Sequence, residues 1–403
     1  MMTKRLCRIL ALIVLLVPTG CYDSQPLKES AIVMGTGIDK EEREGYTFFV
    51  EILRVGAGGG SAYGEVEEKD SDRSIVLRVT ADNMFEASRD LIRYSKRRLV
   101  FTHNRVWVIS ERAARANILQ PFDFTLRDQM MRLNSFLFVS KDPPEKILTT
   151  STLLESLNSL ELAVGMEELR YAGNLGQIYL MDFFEALSGP VQASFVPMIE
   201  LEHQTENPVT VINGLAIVKK DKMVGILNQA ETFGLMLLRG SVSTGWLKAG
   251  EDGADGQIAF EIQSQKTKTK THLVNGRLTA EMEINLRGTV ANALPDINWL
   301  DPDTIRKFER KVDAWLQAHA EAALAKLQKE YRADVTNIGL QAYRKFPKEF
   351  NKVKDNWDEV FANAKITIRT HTDIYHPGLI NESQGSIEHK PERNPFKYWF
   401  GGK

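Results

Sequence analysis

The chain has 403 residues, of which 43% are hydrophobic and 26% charged, with a formal net charge of −2. That length supports two or three packed domains, and the balanced charge gives no overall electrostatic case for nucleic acid as a partner. The only cysteines are Cys7 and Cys21, so a chain that loses its first twenty residues keeps one thiol, can form no intramolecular disulfide, and must draw its stability from packed cores.

The N-terminus carries the first readable signal. Lys4, Arg5 and Arg8 make a positive start, and Ile9 to Val17 is an unbroken apolar run. The run is about half of the roughly 20 residues a membrane-spanning helix needs. A charged start, a short apolar stretch and small residues before a cut site describe an export signal. Thr19-Gly20-Cys21 looks like a lipobox, with Pro18 where that pattern usually has Leu. Residues 1–20 are therefore expected to be a lipoprotein signal peptide, and Cys21 the acylated first residue of the mature chain. The other reading is an ordinary signal peptide with a chance cysteine. One acyl chain holds a membrane only marginally, so the two chains of a diacylglyceryl thioether are required. No later segment reaches spanning length without charges, and the mature product is expected to be a body held to a membrane by its N-terminus.

In chain order, SAIVMGTGID from Ser30 and YTFFVEILRV from Tyr46 read as a hairpin, and RSIVLRVT as a further strand after a glycine-rich, then acidic loop at 56–72. Asp82 is the expected N-cap of a helix to about Arg97, with Phe85, Leu91 and Ile92 on its apolar side. NRVWVIS is a strand, Glu111 to Leu119 a helix, PFDFTLRDQMM a short helix, and NSFLFVS a strand. Alternating strands and helices make residues 21–140 an N-terminal α/β domain. Residues 141–207 are expected to form a mainly helical middle domain ending in the strand ASFVPMIELE.

Residues 208–376 read as a C-terminal α/β domain. It opens with a hairpin from Val211 to Leu227 and a helix from Gln229 to Leu238. QIAFEIQSQ, TKTKTHLV and RLTAEMEINLRGTV follow as three strands of an antiparallel meander. Asp301 can cap a long helix with Pro302 in its first turn. Ile305, Phe308, Val312, Trp315, Leu316 and Leu327 recur at helical spacing to about Tyr331. A helix at Val335 to Lys345 and the strand AKITIRTHTDI close the domain, and 377–403 is a polar tail. The fold class is α+β: a three-domain mixed α/β body with mainly antiparallel sheets and a long amphipathic helix in the C-terminal domain.

Catalytic signatures are weak. Gly35-Thr36-Gly37 lacks the third glycine of a dinucleotide fingerprint and reads as a strand ending in a tight turn. GSVSTG from Gly240 does not fit a nucleophile elbow, which leaves Ser243 unsupported. His371, Asp373 and His376 come closest to a metal cluster, and His371 and Asp373 share a strand face. No third and fourth ligand follow at a characteristic spacing, so no metal and no cofactor are expected. His103 is expected to be a structural hydrogen-bonding residue. Lys266, Lys268 and Lys270 lie on one strand face, either to meet anionic headgroups or an acidic partner, or as a charged edge that resists aggregation. Phe396, Tyr398, Trp399 and Phe400 in the tail read either as a membrane or partner contact or as an ordinary tail.

The order of several segments carries a resemblance. GCYDSQPLKESAIVMGTGIDK resembles the mature start of the Ger(x)C family, the spore germination lipoproteins. Cys21, Asp23, Glu29, Gly35, Gly37, Ile38 and Asp39 match its pattern, and Tyr22 replaces the usual Trp. THNRVWVISERAARANI looks like the family's His-Asn-Arg strand and following helix. FDFTLRDQMMRLNSFLFVSKDPPEKIL resembles its Asp-x-x-x-Arg segment, and INGLAIVKKDKMVGILNQAETFGLMLLRG the opening of its C-terminal region. LQKEYRADVTNIGLQAYRKFPKEF looks like its Asp-x-x-x-x-Gly helix, with Tyr331 near a position where the family often has Gln. The likeness spans about residues 20 to 376. It implies a three-domain mixed α/β body without enzymatic activity, the C subunit of a nutrient germinant receptor. Such a subunit is lipid-anchored on the outer face of the spore inner membrane, beside an A subunit with soluble and membrane parts and a polytopic B subunit. The alternative is an extracellular small-molecule-binding lipoprotein serving a membrane transporter, which a discrete pocket with convergent polar groups would favour.

Overall fold

The computed structural model describes residues 29–40, 45–54, 73–128, 131–169, 176–204, 207–249, 258–292 and 301–375. β1 (Ser30–Lys40), β2 (Tyr46–Leu53) and β3 (Ser74–Ala81) form one antiparallel side of a large sheet. α1 (Met84–Ser95) leads to the short β4 (Arg98–Val100) and to β5 (Val106–Ser110), both parallel to β1. α2 (Glu111–Asn117) and α3 (Asp123–Arg127) precede β6 (Phe136–Ser140), parallel to β5. Between β6 and its parallel neighbour β7 (Ala193–Glu202) lie α4 (Pro144–Thr149), α5 (Asn158–Glu168) and α6 (Leu180–Ser188). A parallel return requires a crossover of this kind, and so the helical stretch after residue 141 spans the sheet. β8 (Val209–Lys219) and β9 (Lys222–Leu227) add an antiparallel hairpin. The strand order is β3-β2-β1-β5-β6-β7-β8-β9, with β4 beside β1. The segment around residue 207 lies between β7 and β8, which pair across it.

The remaining elements are α7 (Gln229–Arg239), β10 (Gly245–Ala249), β11 (Ile258–Val274), β12 (Arg277–Asn292), α8 (Pro302–Lys326), α9 (Ile338–Lys345), α10 (Pro347–Val353), α11 (Trp357–Ala362) and β13 (Lys365–Ile374). Their sheet has the order β10-β11-β12-β13 and is antiparallel except for the β12–β13 pair. The fold is thus mixed α/β, as expected.

Strand alternation decides which residues meet. On β2, Tyr46, Phe48, Val50 and Ile52 face the core shared with α1 and α2, while Phe49 faces the layer built by α4 and α5. Trp107 and Ile109 of β5 take the first face, and Val106 and Val108 the second. Both faces are therefore covered, which is why these strands read as continuous apolar runs. Phe48, Trp107 and Phe138 are 0% exposed, and truncating any of them to Ala costs about 3–5 kcal/mol. The first of the two cores continues through α7 and α8 to the inner face of the second sheet.

α8 begins as its residues predict. Asp301 accepts hydrogen bonds from the Asp303 and Thr304 amides, and Phe308, Val312, Leu316, Ala320 and Ala323 are buried. A wider turn carries it to Tyr331. α7 opens with a reciprocal Asn228–Glu231 cap. It lies against α8 so closely that a Cβ on Gly234 would be 2.2 Å from the His319 carbonyl oxygen.

Four local expectations change. The N-cap of α1 is Asn83, whose side chain accepts from the Glu86 amide. The buried stripe of α1 is Met84, Ala87 and Leu91, with Phe85 exposed, and the helix stops at Lys96 in the left-handed region. The segments QIAFEIQSQ and TKTKTHLV run together as one 17-residue strand, Ile258–Val274, because the pairing with β12 continues through Lys266 between them without a turn. The helix read from Val335 starts at Ile338, since Asp334 to Asn337 form a tight polar turn instead.

Candidate functional site

The motif residues of β1 are framework. A Cβ on Gly35 would lie 2.8 Å from Ser159 Cβ, and one on Gly37 2.9 Å from Pro144 Cβ. The paired glycines therefore let α4 and α5 sit directly on the strand. The Thr36 hydroxyl donates to Asn104 Oδ1 at 3.0 Å, and the Asn104 amide donates to the Val106 carbonyl at 3.1 Å. Asn104, not its exposed neighbour His103, is the buried hydrogen-bonding residue of that turn. Arg112 donates to both Asp39 oxygens at 2.6 Å. Burial alone would raise the Asp39 carboxyl, but Arg112 and Ser110 outweigh it and hold the group below its ordinary value. Glu51 accepts from the Asn158 and Ser159 amides at 3.2 and 3.0 Å and from the Ser74 hydroxyl at 3.2 Å. It supplies the acceptors that the first turn of α5 lacks. Burial pushes its carboxyl up.

Charged and polar groups concentrate at a seam between the large sheet and the elements after β9. The Tyr331 hydroxyl donates to the Ile226 carbonyl at 2.8 Å and accepts from its amide at 3.2 Å. The ring lies where a Cβ on Gly225 would be 2.1 Å away, so only glycine admits this contact. Lys219 reaches Asp358 at 3.4 Å, and Lys326 pairs with Glu231 at 2.8 Å. Arg239 donates to the Val335 carbonyl and to Asn337 Oδ1, and its guanidinium lies 4.9 Å from the Phe195 ring centroid. Asp334 accepts from the Thr336 amide and hydroxyl, the Gly339 amide and Trp357 Nε1, at 3.1, 2.7, 2.7 and 3.2 Å. Burial raises its carboxyl despite these bonds. Burial also lowers Arg239, against the opposing pull of Asp334.

A cavity of about 490 Å³ opens at this seam, lined by Asp182, Glu185, Phe195, Arg239, Asn337 and Arg344 among others. A second recess of about 260 Å³ shares Pro190, Val191, Ala193 and Asp334 with it and is bordered by Lys219, Lys220, Arg332 and Lys354. Charges of both signs in this volume suit a small zwitterion, although Arg239 and Asp334 are already engaged with the fold's own groups.

The other singled-out residues lie apart from the seam. Lys266, Lys268 and Lys270 share the exposed face of β11, as alternation requires, opposite Asn285, Glu283 and Glu281 of β12. Beyond Ile262, β11 has no β10 partner. There Gln265 and Thr267 reach the Leu237 carbonyl at the end of α7, which covers part of the edge. His371 and Asp373 share the outer face of β13, and Asp373 pairs with Arg287 at 2.8 Å. Among the described residues no group of three metal-ligating side chains converges. Ser243 is exposed between α7 and β10. Cys21, His376, Phe396, Tyr398, Trp399 and Phe400 lie outside the described residues. Among the described residues no helix is long and apolar enough to cross a membrane. Glu51, Arg239 and Trp357 were not singled out from sequence. Arg239 shows no local signal, whereas Asp334 and Gly339 belong to the Asp-x-x-x-x-Gly pattern of the resemblance, which was read as part of a helix.

Residues 23–201 match the family described as spore germination protein N-terminal domain, and residues 213–378 match spore germination B3/GerAC like, C-terminal. The chain is 24% identical to spore germination protein KC of Bacillus subtilis (strain 168), over 99% of each chain. It is 23% identical to spore germination protein B3 of the same organism, over 91% of this chain and 96% of that protein. Its fold is similar to the crystal structure of the GerBC protein, with a TM-score of 0.53 and 20% identity over 88% of this chain and 100% of that one. With both halves matched in order across nearly its whole length, the chain belongs to the GerAC-like family of spore germination proteins.

Proposed function

We propose that this chain is the non-catalytic, lipid-anchored C subunit of a spore nutrient germinant receptor, working with A and B subunits on the outer face of the spore inner membrane. The observation that carries the reading is the end-to-end match to spore germination protein KC together with both family halves. The motif residues Gly35, Thr36, Gly37, Asp39, Asn104 and Gly339 brace packing, which suits a subunit whose body organises partners. Acylation of Cys21 would confine the body to a surface, so that partner binding becomes an encounter at raised effective concentration.

A second reading rests on the seam cavity. Its volume falls in the range of small-molecule sites, which would suit a ligand-capturing lipoprotein that serves a transporter. The two readings separate in spores lacking the gene. The receptor reading predicts loss of germination on the cognate nutrient mixture with an intact response to a trigger that bypasses receptors. Normal germination on every nutrient, in a strain that also lacks paralogous receptors, would overturn it and favour ligand capture.

A further inference from the structure

The described chain enters the body beside a cluster of cations. Glu29, Arg89, Ile92, Lys96, Arg97 and Arg98 line one shallow open basin. Ser30, the first residue of β1, is paired in register with Arg98 of β4. Arg93 is exposed one turn before Lys96 on α1, and Tyr94 beside it is 62% exposed. Three features of the fold hold these cations together. α1 ends at Lys96 with its backbone in the left-handed region, its amide donating to the Ile92 carbonyl. The Ser95 hydroxyl donates to the Arg97 carbonyl at 2.8 Å. β4 then fixes Arg98 against β1. Glu29 is the one carboxylate in the lining, and among the described residues Arg93, Lys96, Arg97 and Arg98 have no ion-pair partner.

Cys21 precedes Glu29 by eight residues, which span at most about 29 Å when fully extended. We infer that the basin lined by Arg89, Lys96, Arg97 and Arg98, together with the exposed Arg93 beside it on α1, docks on the anionic phospholipid headgroups of the membrane that holds the N-terminus. This rests on the proposed anchoring at Cys21, which places the basin within reach of the bilayer. A lipid chain combined with a basic patch is a stronger anchor than either alone. Docking by the basin would also fix which side of the body faces the membrane, turning a tether into an oriented platform. The rival surface is the lysine row at 266, 268 and 270. The register sets Glu283 and Glu281 opposite two of those lysines, whereas the basin lining holds one carboxylate, Glu29, against the four cations Arg89, Lys96, Arg97 and Arg98.

The test uses the unacylated chain from Cys21 to Lys403, which retains every described strand, helix and core residue. Its partition onto vesicles of pure phosphatidylcholine and onto vesicles containing phosphatidylglycerol is measured in 0.1 M and 1 M NaCl. Expected are binding only to the anionic vesicles and release at 1 M, where the screening length falls to about 3 Å. Each cation near an anionic surface is worth roughly fivefold in partition. The triple substitution Arg93→Gln, Lys96→Asn, Arg97→Gln should therefore weaken binding about a hundredfold while leaving the thermal midpoint unchanged. The matched control Lys266→Gln, Lys268→Gln, Lys270→Gln should retain binding. Equal binding to both vesicle types, no loss in the triple variant, or equal loss in the control would overturn the inference. The same assay on protein exported and processed with its own leader examines the anchor separately. Release of that form by 1 M NaCl would refute acylation at Cys21 and leave the basin's headgroup binding standing on the unacylated result.

Discussion

Gly339→Ala adds one methyl group to α9 and should unfold the protein more easily than any propensity scale suggests. Alanine is the better helix former by about 1 kcal/mol. At position 339, however, the new Cβ would lie 2.6 Å from Asp334 Oδ2 and 2.7 and 2.8 Å from Nε1 and Cε2 of Trp357. Ordinary contact needs roughly 0.7 Å more at each, and neither neighbour can retreat independently. Asp334 and Trp357 are 5% and 3% exposed and hydrogen-bonded to each other at 3.2 Å. Making room stretches that bond or the Gly339–Asp334 bond, and bonds to a charged group are worth about 1.5–3 kcal/mol each. Overpacking adds about 1–3 kcal/mol. After the helix gain is subtracted, the net loss is about 1.5–5 kcal/mol. Urea unfolding followed by tryptophan fluorescence should show a lower midpoint at unchanged slope. Gly165→Ala in α5 is the internal contrast, because its Cβ would meet nothing within 4 Å and should stabilise by about 0.5–1 kcal/mol. A Gly339→Ala variant within 0.5 kcal/mol of the wild type would refute the packing argument.

Further outcomes follow from the buried carboxylates and the seam. Asp39 is held below its ordinary 3.8, so its contribution is present above that pH and lost as pH falls through the lowered value. Asp39→Asn should cost about 1 kcal/mol at pH 7, since Arg112 is half exposed and screened, and the deficit should shrink in acid; a constant deficit across pH would contradict the ion-pair account. Glu51 is raised above its ordinary 4.5, so its contribution is full below 4.5 and declines as pH rises through the raised value. Glu51→Gln presents an amide NH₂ to donors and should cost about 1–3 kcal/mol in acid, with the gap narrowing as pH rises; a gap that widened would contradict the sign. Tyr331→Phe removes the hydroxyl that caps both backbone groups of Ile226 and should lower the urea midpoint by about 1–2 kcal/mol equivalent, an effect absent if that seam contact is incidental.

Much of the fold was legible because burial leaves periodic marks. The stripe from Phe308 to Leu327 and the cap at Asp301 located α8, and the β-branched runs located β1, β2, β5, β6 and β7. β4 was missed because three residues carry too few alternations to separate from loop, and β10 because its sequence GWLKA has no β-branched residue. The α1 cap moved by one residue because Asp82 and Asn83 are both competent, and only Asn83 can reach the Glu86 amide in this backbone. The seam was the least legible part. Arg239 meets Val335 and Asn337 across nearly a hundred residues, and the partner of Asp334 that explains Gly339 is Trp357, 23 residues beyond Asp334. Such contacts leave no local pattern, and the Asp-x-x-x-x-Gly spacing of the resemblance, read as a helix, gave no sign of the turn at Asp334 or of Trp357. The lysine row showed its alternation in sequence, but the opposing Glu281 and Glu283 depend on strand register.

The most direct measurement complements spores lacking this gene with the wild-type chain or with Cys21→Ala, scoring nutrient mixtures and a receptor-independent trigger side by side. The lipid-anchored receptor account predicts that only the wild type restores the nutrient response, while the receptor-independent response is intact in every strain. Full rescue by Cys21→Ala would contradict the anchor, and an unimpaired deletion in the absence of paralogous receptors would contradict the germination role itself.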